Sequence, residues 1–174
     1  FLCLILLLCS WVISYAISTA CLFVLVFYLI NNILYSFYVK HLAILDITSI
    51  AIGFSLRLIA GIYAINATPT AWIVLCTFFL TFFISCAKRR AEFYAITDGN
   101  AQRPVLKEYS LDYLDFLLSS SSVITIIAYA LFTTLTSNKD HTLVITVPFV
   151  VYAIMYYKKL VLIISHNNVS KEKN

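Results

Sequence analysis

The sequence predicts an all-α fold, a polytopic bundle of transmembrane helices with about six spans present. Three observations predict it. The 174 residues are 62% hydrophobic and 11% charged, with a mean hydropathy of +0.94, whereas soluble domains carry about 25% charged residues. The apolar residues fall into runs near the ~20 residues needed to cross about 30 Å of hydrocarbon. The basic residues gather at alternate ends of those runs, as the orientation of membrane helices requires.

The runs follow in order. The first covers 1–15 and the second 18–38. The third, 45–65, is joined to the fourth, 70–87, by a tight connection whose Pro69 suits the first turn of a helix. A polar stretch, 88–110, is the one substantial loop and the expected seat of any chemistry. The fifth run is 111–136, the sixth is 143–164, and 166–174 is a polar tail expected to be loose. One transmembrane domain, 1–165, therefore carries one large loop. The chain starts at Phe1, inside an apolar run with no basic flank or cleavage site of a signal peptide, and reads as a fragment.

Lys40, the loop set Lys88, Arg89, Arg90, Arg103 and Lys107, and the late Lys158, Lys159, Lys171 and Lys173 all fall on one side, against Lys139 alone on the other. The loop is therefore expected at the cytoplasmic face of the cell membrane. Cys3, Cys9, Cys21, Cys76 and Cys86 lie in apolar runs without metal-site spacing and are expected to pack as small hydrophobes. There is no Gly-rich phosphate loop, nucleophile elbow or His-Glu metal helix, which excludes the nucleotide-fold enzymes. No nucleic-acid partner is expected.

Arg57 falls near mid-membrane in the third run and is expected to face the bundle interior. It reads either as an anchor for an anion or buried carboxylate, or as a structural Arg satisfied by carbonyls. In the stretch Ala87-Lys-Arg-Arg-Ala-Glu92 no Gly or Pro intervenes before Gly99, so the helix is expected to continue out of the membrane. Lys88 and Arg89 then share a face with Glu92, and Arg90 adds a third cation. Such a cluster can hold phosphate or pyrophosphate, or can simply anchor the helix in the membrane. Asp112 and Asp115, one turn apart, read as a capping pair in preference to a Mg²⁺ pair. Lys40, His41 and Asp46 come to the same cytoplasmic face. His41 reads as interfacial, and Asp46 as either a helix-terminal residue or a metal ligand. The serines 119–122 read as helix-packing residues. The glycosylation patterns at Asn66 and Asn168 are discounted, the first as tight against the membrane and the second as cytoplasmic.

Taken together, Tyr35-Ser with Lys40 and Leu45-Asp46, then Ile52-Gly-Phe-Ser-Leu-Arg-Leu-Ile-Ala-Gly61, then Ala87-Lys-Arg-Arg-Ala-Glu92 resemble successive signatures of the UbiA-type superfamily. Within it they are most similar to the decaprenyl-phosphate phosphoribosyltransferases. Arg103-Pro-Val-Leu with Tyr109, and Thr146-Val-Pro-Phe-Val-Val-Tyr152, extend the resemblance over nearly the whole chain.

The resemblance implies transfer of a phosphoribosyl group from phosphoribosyl pyrophosphate to a polyprenyl phosphate, with release of pyrophosphate and help from Mg²⁺, in the synthesis of cell-wall arabinan precursors. It implies phosphate or substrate binding by Tyr35, Lys40, Arg57, Lys88, Arg89, Arg90 and Arg103, and catalytic roles for Asp46 and Glu92. The family's Asp-rich metal motif is not found between Phe1 and Asn174 and would precede Phe1. A final helix is also expected beyond the chain, so the chain alone is expected to be inactive. The alternatives are a UbiA-type prenyltransferase acting on an aromatic or other acceptor, which would carry a second Asp-rich motif in the large loop, and a transport or structural membrane segment. Oligomeric state and lipid length stay open.

Overall fold

A computed structural model describes residues 17–96, 104–136 and 142–172, together with Ser10, Trp11 and Ser14. Five α-helices account for most of these: α1 (Thr19–Phe37), α2 (Leu45–Ala64), α3 (Ala71–Ile96), α4 (Leu111–Thr136) and α5 (Val147–Glu172). Short 3-10 turns occupy Val39–His41, Pro104–Glu108 and Thr142–Thr146. All five helices contain stretches long and apolar enough to cross a membrane, the second to sixth of the expected spans. The first, 1–15, lies largely outside the described residues.

The boundaries follow local chemistry. Ser18 caps α1, its hydroxyl accepting the Ala20 N–H at 3.2 Å. Asn66, at φ 55°, turns the chain out of α2. Pro69 stands ahead of Thr70, whose carbonyl accepts the Val74 N–H, so it precedes the first turn of α3 instead of sitting in it. As the lack of Gly and Pro requires, α3 runs on through Lys88, Arg89 and Arg90 to Ile96. In α5 Pro148 sits in the first turn, and with no Gly or Pro after it the helix runs to Glu172, where a loose tail was expected.

Neighbouring helices pack in sequence order, α1 on α2, α2 on α3 and α3 on α4, with α5 closing against α3 and α4. The outer face of α1 exposes Phe23, Phe27, Ile30, Ile33 and Phe37, a surface suited to lipid. Between α1 and α2, Asn31 donates to the Ser49 carbonyl at 3.1 Å and accepts from its hydroxyl at 2.9 Å. Gly53 permits this approach, since a Cβ there would meet the Asn31 amide at 3.3 Å. Cys21, Cys76 and Cys86 are free thiols, as their apolar settings imply; Cys3 and Cys9 lie outside the described residues.

The best-packed core lies where α2 begins, α3 nears its end and α4 begins, around Ile47, Phe83, Cys86, Leu114 and Leu118. The serine run serves that packing. Ser122 is fully buried and returns its hydroxyl to the Ser119 carbonyl at 2.7 Å, while Ser121 donates to the Leu118 carbonyl at 3.2 Å. Small side chains here let α3 and α4 close on each other. Ser122→Leu is therefore expected to overpack this contact and cost about 1–3 kcal/mol, read as a lower unfolding midpoint in detergent. Ser119→Leu, on the half-buried position of the same run, should cost less.

Candidate functional site

The α1–α2 connection and the α3–α4 connection meet at one end of the bundle, and the buried charges lie between them. Asp46, in the first turn of α2, is fully buried. Its Oδ2 accepts from Arg89 Nε at 2.5 Å, and its Oδ1 accepts from the Tyr109 hydroxyl at 2.8 Å. Arg89 is itself only 3% exposed, and its Nη1 donates to Glu92 Oε2 at 2.7 Å one turn along α3. Two of its three nitrogens are thereby held by carboxylates. The third, Nη2, makes no hydrogen bond among the described residues.

Arg90, also buried, points to the other side of α3. It pairs with Asp115 of α4 through Nε and Nη2, and its Nη1 donates to the Val161 carbonyl of α5 at 3.1 Å. Asp115 is thus the partner of an arginine, neither part of a cap nor half of a metal pair with Asp112. Ser110 does the capping, its Oγ accepting the Tyr113 N–H at 3.3 Å. A carboxylate is the natural companion for each buried guanidinium, since an unpaired charge there would cost several kcal/mol.

The cations left exposed are different ones. Lys88 is exposed and forms no ion pair among the described residues; with Arg89, Ser85, Thr81, Ile50 and Phe54 it lines a cavity of about 150 Å³. Ile50 and Phe54 are shared with an adjoining cavity of about 120 Å³ that holds Tyr35, Asn31, Asn32, Tyr28 and Arg57. Arg57 is exposed, against the expectation of an interior position. Its guanidinium donates to the Tyr28 hydroxyl at 2.5 and 3.1 Å and lies 5.0 and 4.9 Å from the ring centres of Tyr28 and Phe54. Two aromatic faces and a phenol on the α1–α2 surface take the place of a buried carboxylate.

Of the site residues expected from sequence, Asp46, Arg89 and Glu92 form one connected cluster. Lys88 joins it at the cavity wall, Tyr35 and Arg57 share the next cavity, and Arg90 is directed elsewhere. Lys40 and His41 are exposed on the 3-10 turn Val39–His41, and neither lines these cavities. Arg103 lies outside the described residues. Sequence reasoning missed Tyr109 as a member of the cluster and Asp115 as the partner of Arg90. Each contact joins segments far apart in the chain, and no local spacing encodes it.

Tyr109 is 4% exposed and sits outside the spanning segments. Burial first, and then the hydrogen bond and charge of Asp46, hold its phenol well above the ordinary tyrosine range, only partly offset by the Ile44 amide and Arg89. It therefore stays a donor to Asp46 at neutral pH. Above about pH 10 an unfolded chain would lose this proton while the folded one keeps it. The unfolded state then binds fewer protons, so stability must fall as pH rises. Unfolding midpoints measured from pH 8 to 11 should fall, and the Tyr109→Phe variant should fall less steeply over the same range.

A polytopic helical membrane protein with a buried Arg–carboxylate cluster at one end, and an exposed lysine beside it, is the class this geometry defines. No protein-family profile matches the chain. It is 32% identical over 123 residues to a decaprenyl-phosphate phosphoribosyltransferase of Mycolicibacterium smegmatis, covering 70% of this chain and 39% of the relative. Proteins of the same name from Mycobacterium tuberculosis and Corynebacterium glutamicum are 32% and 29% identical, over 62% and 70% of this chain and 36% of each relative. The chain is a homologue of these decaprenyl-phosphate phosphoribosyltransferases over 62–70% of its own length. It spans under two fifths of the length of the curated relatives it matches.

Proposed function

We propose that this chain forms part of an enzyme that transfers a 5-phosphoribosyl group from phosphoribosyl pyrophosphate to a polyprenyl phosphate, at the cytoplasmic face of the cell membrane, in the making of cell-wall arabinan precursors. The observation that carries the reading is the cavity walled by Lys88 and Arg89 at the end of an apolar bundle. A pyrophosphate needs cations, and a polyprenyl tail needs bilayer. The homologues' printed names supply the chemistry, decaprenyl phosphate as acceptor and phosphoribosyl as the group moved.

In this reading a phosphate oxygen of the lipid attacks the anomeric carbon of the ribose. The bond from that carbon to the pyrophosphate oxygen breaks, and pyrophosphate leaves with the electron pair. Lys88 and the unpaired nitrogen of Arg89 meet the negative charge that grows on the leaving group, which preorganised donors in a partly desolvated site do effectively. The lipid phosphate is ionised near neutral pH, so the nucleophile needs no strong base. Asp46 and Glu92 then serve by aiming Arg89, since Asp46 is fully enclosed by protein.

Mg²⁺ belongs to the reading as a companion of the pyrophosphate. Among the described residues no three His, Cys, Asp or Glu side chains gather as a metal site. Asp46, Glu92 and Asp115 are each held by an arginine. These residues do not fit a protein-held metal, so the contribution of the described residues is their cations.

The test is incubation of membranes containing the full-length protein with labelled phosphoribosyl pyrophosphate and a polyprenyl phosphate. A labelled lipid is expected. No labelled lipid beside an active control enzyme, with prenylation of an aromatic acid from a prenyl pyrophosphate instead, would overturn the reading.

A further inference from the structure

Ile44, between the two site-bearing segments, has φ 68° and ψ −46°, and the Leu45 N–H bonds back to the Ala43 carbonyl at 2.8 Å. This is a γ-turn with positive central φ, a rare and strained form, and its central residue is β-branched. Strain of that kind persists only where surrounding contacts over-determine it. Here two contacts come from one segment 65 residues away. Glu108 Oε2 accepts the Ala43 N–H at 3.2 Å, and the Tyr109 hydroxyl accepts the Ile44 N–H at 2.6 Å. The same Tyr109 hydroxyl donates its proton to Asp46 Oδ1. The phenol is thereby oriented by a backbone amide behind it and a carboxylate ahead of it.

The chain of contacts ends on a cation. Tyr109 fixes one oxygen of Asp46, and the other oxygen holds Arg89 Nε. Glu92 holds Nη1, so the guanidinium plane is set by two carboxylates, Nη2 has no hydrogen bond among the described residues, and Arg89 lines the cavity with Lys88. An Arg fork gains its strength from such fixed geometry. A tilted Asp46 would release Nε and let the plane turn.

We propose that Tyr109 is a positioning residue of the phosphate-binding cavity: its hydroxyl, held by the strained Ala43–Leu45 turn, locks Asp46 and through it presents Arg89 to a pyrophosphate group. The inference deepens the proposed function and rests on it for the identity of the donor substrate. It also implies that Tyr109, just ahead of α4, sets substrate affinity without touching substrate. The strain at Ile44 is borne to place one amide behind the phenol.

The experiment uses the full-length protein in detergent and reads inorganic pyrophosphate affinity by calorimetry, beside KM and kcat for labelled phosphoribosyl pyrophosphate. Tyr109→Phe keeps the ring and its packing and removes only the hydroxyl. It should weaken pyrophosphate binding about 5- to 10-fold and raise KM by a similar factor, with kcat changed less than about 2-fold, the size of effect one lost hydrogen bond gives. In an Arg89→Lys background, where no planar fork remains to be aimed, the same substitution should change pyrophosphate affinity less than about 2-fold. A purely structural Tyr109 would lower the unfolding midpoint and leave both binding constants in place, and that result overturns the inference. So does an equal loss of affinity in both backgrounds. A wild-type protein that binds pyrophosphate but labels no lipid fails the proposed function alone, and the affinity comparison still decides on Tyr109. A wild-type protein that does not bind pyrophosphate overturns both.

Discussion

Replacing Asp46 by Ala is expected to destabilise the protein by about 3–5 kcal/mol, the cost of leaving a buried charge without its partner. The size follows from what remains behind. Arg89 is 3% exposed and would keep Glu92 alone, whose side chain is 38% exposed and whose attraction is screened accordingly. Tyr109 would lose the acceptor for its hydroxyl, and with it the orientation that lets it receive the Ile44 amide. Asp46→Asn should cost less, because an amide oxygen can still accept from Tyr109. Unfolding midpoints in detergent rank the two variants. Equal stability of Asp46→Ala and wild type would mean that Arg89 finds solvent as readily as a carboxylate.

Lys88→Met is expected to do the reverse, leaving stability within about 0.5 kcal/mol of wild type and lowering kcat/KM roughly 10²-fold. Lys88 is exposed and makes no ion pair among the described residues, so its removal breaks nothing in the fold. It does line the cavity beside Arg89, where a point charge faces any phosphate that enters. Lys88→Arg should recover part of the activity, and the deficit of Lys88→Met should shrink at high ionic strength as the wild type itself slows. Activity assays on membranes with labelled phosphoribosyl pyrophosphate check both. Unchanged turnover in Lys88→Met would remove this cavity from the reaction.

These opposite expectations for two residues of one cluster come from a division of labour among its charges. Arg89 and Arg90 are enclosed and matched to carboxylates, so they shape the end of the bundle. Lys88, Lys40 and Arg57 are exposed, so they can meet a ligand. A stretch of three consecutive cations on α3 therefore has one exposed charge, which the proposed function gives to substrate, and two that are buried and held by carboxylates.

The helices were legible in the sequence because their cause is local. A run of apolar residues near bilayer length must become a helix, as at 45–65 and 111–136, where the structure places Leu45–Ala64 and Leu111–Thr136. The helical exit of α3 through Glu92, and the Arg89–Glu92 pair one turn apart, were legible for the same reason. The Arg90–Asp115 pair, the Tyr109–Asp46 hydrogen bond and the turn at Ile44 were not, since each depends on how distant segments meet after packing. Arg57 marks a limit of composition rules. An intramembrane charge was expected to seek the interior, but stacking on Phe54 and Tyr28 and bonding to the Tyr28 hydroxyl satisfy it at the surface of α1 and α2.

The central claim is that the cation cluster is built on the buried Asp46–Arg89 pair, and a double-mutant cycle of Asp46→Asn and Arg89→Met on unfolding free energy tests it most directly. A coupling of about 2–3 kcal/mol is expected, with Asp46→Asn costing far less once Arg89 is Met. Additive losses within about 0.5 kcal/mol would contradict it.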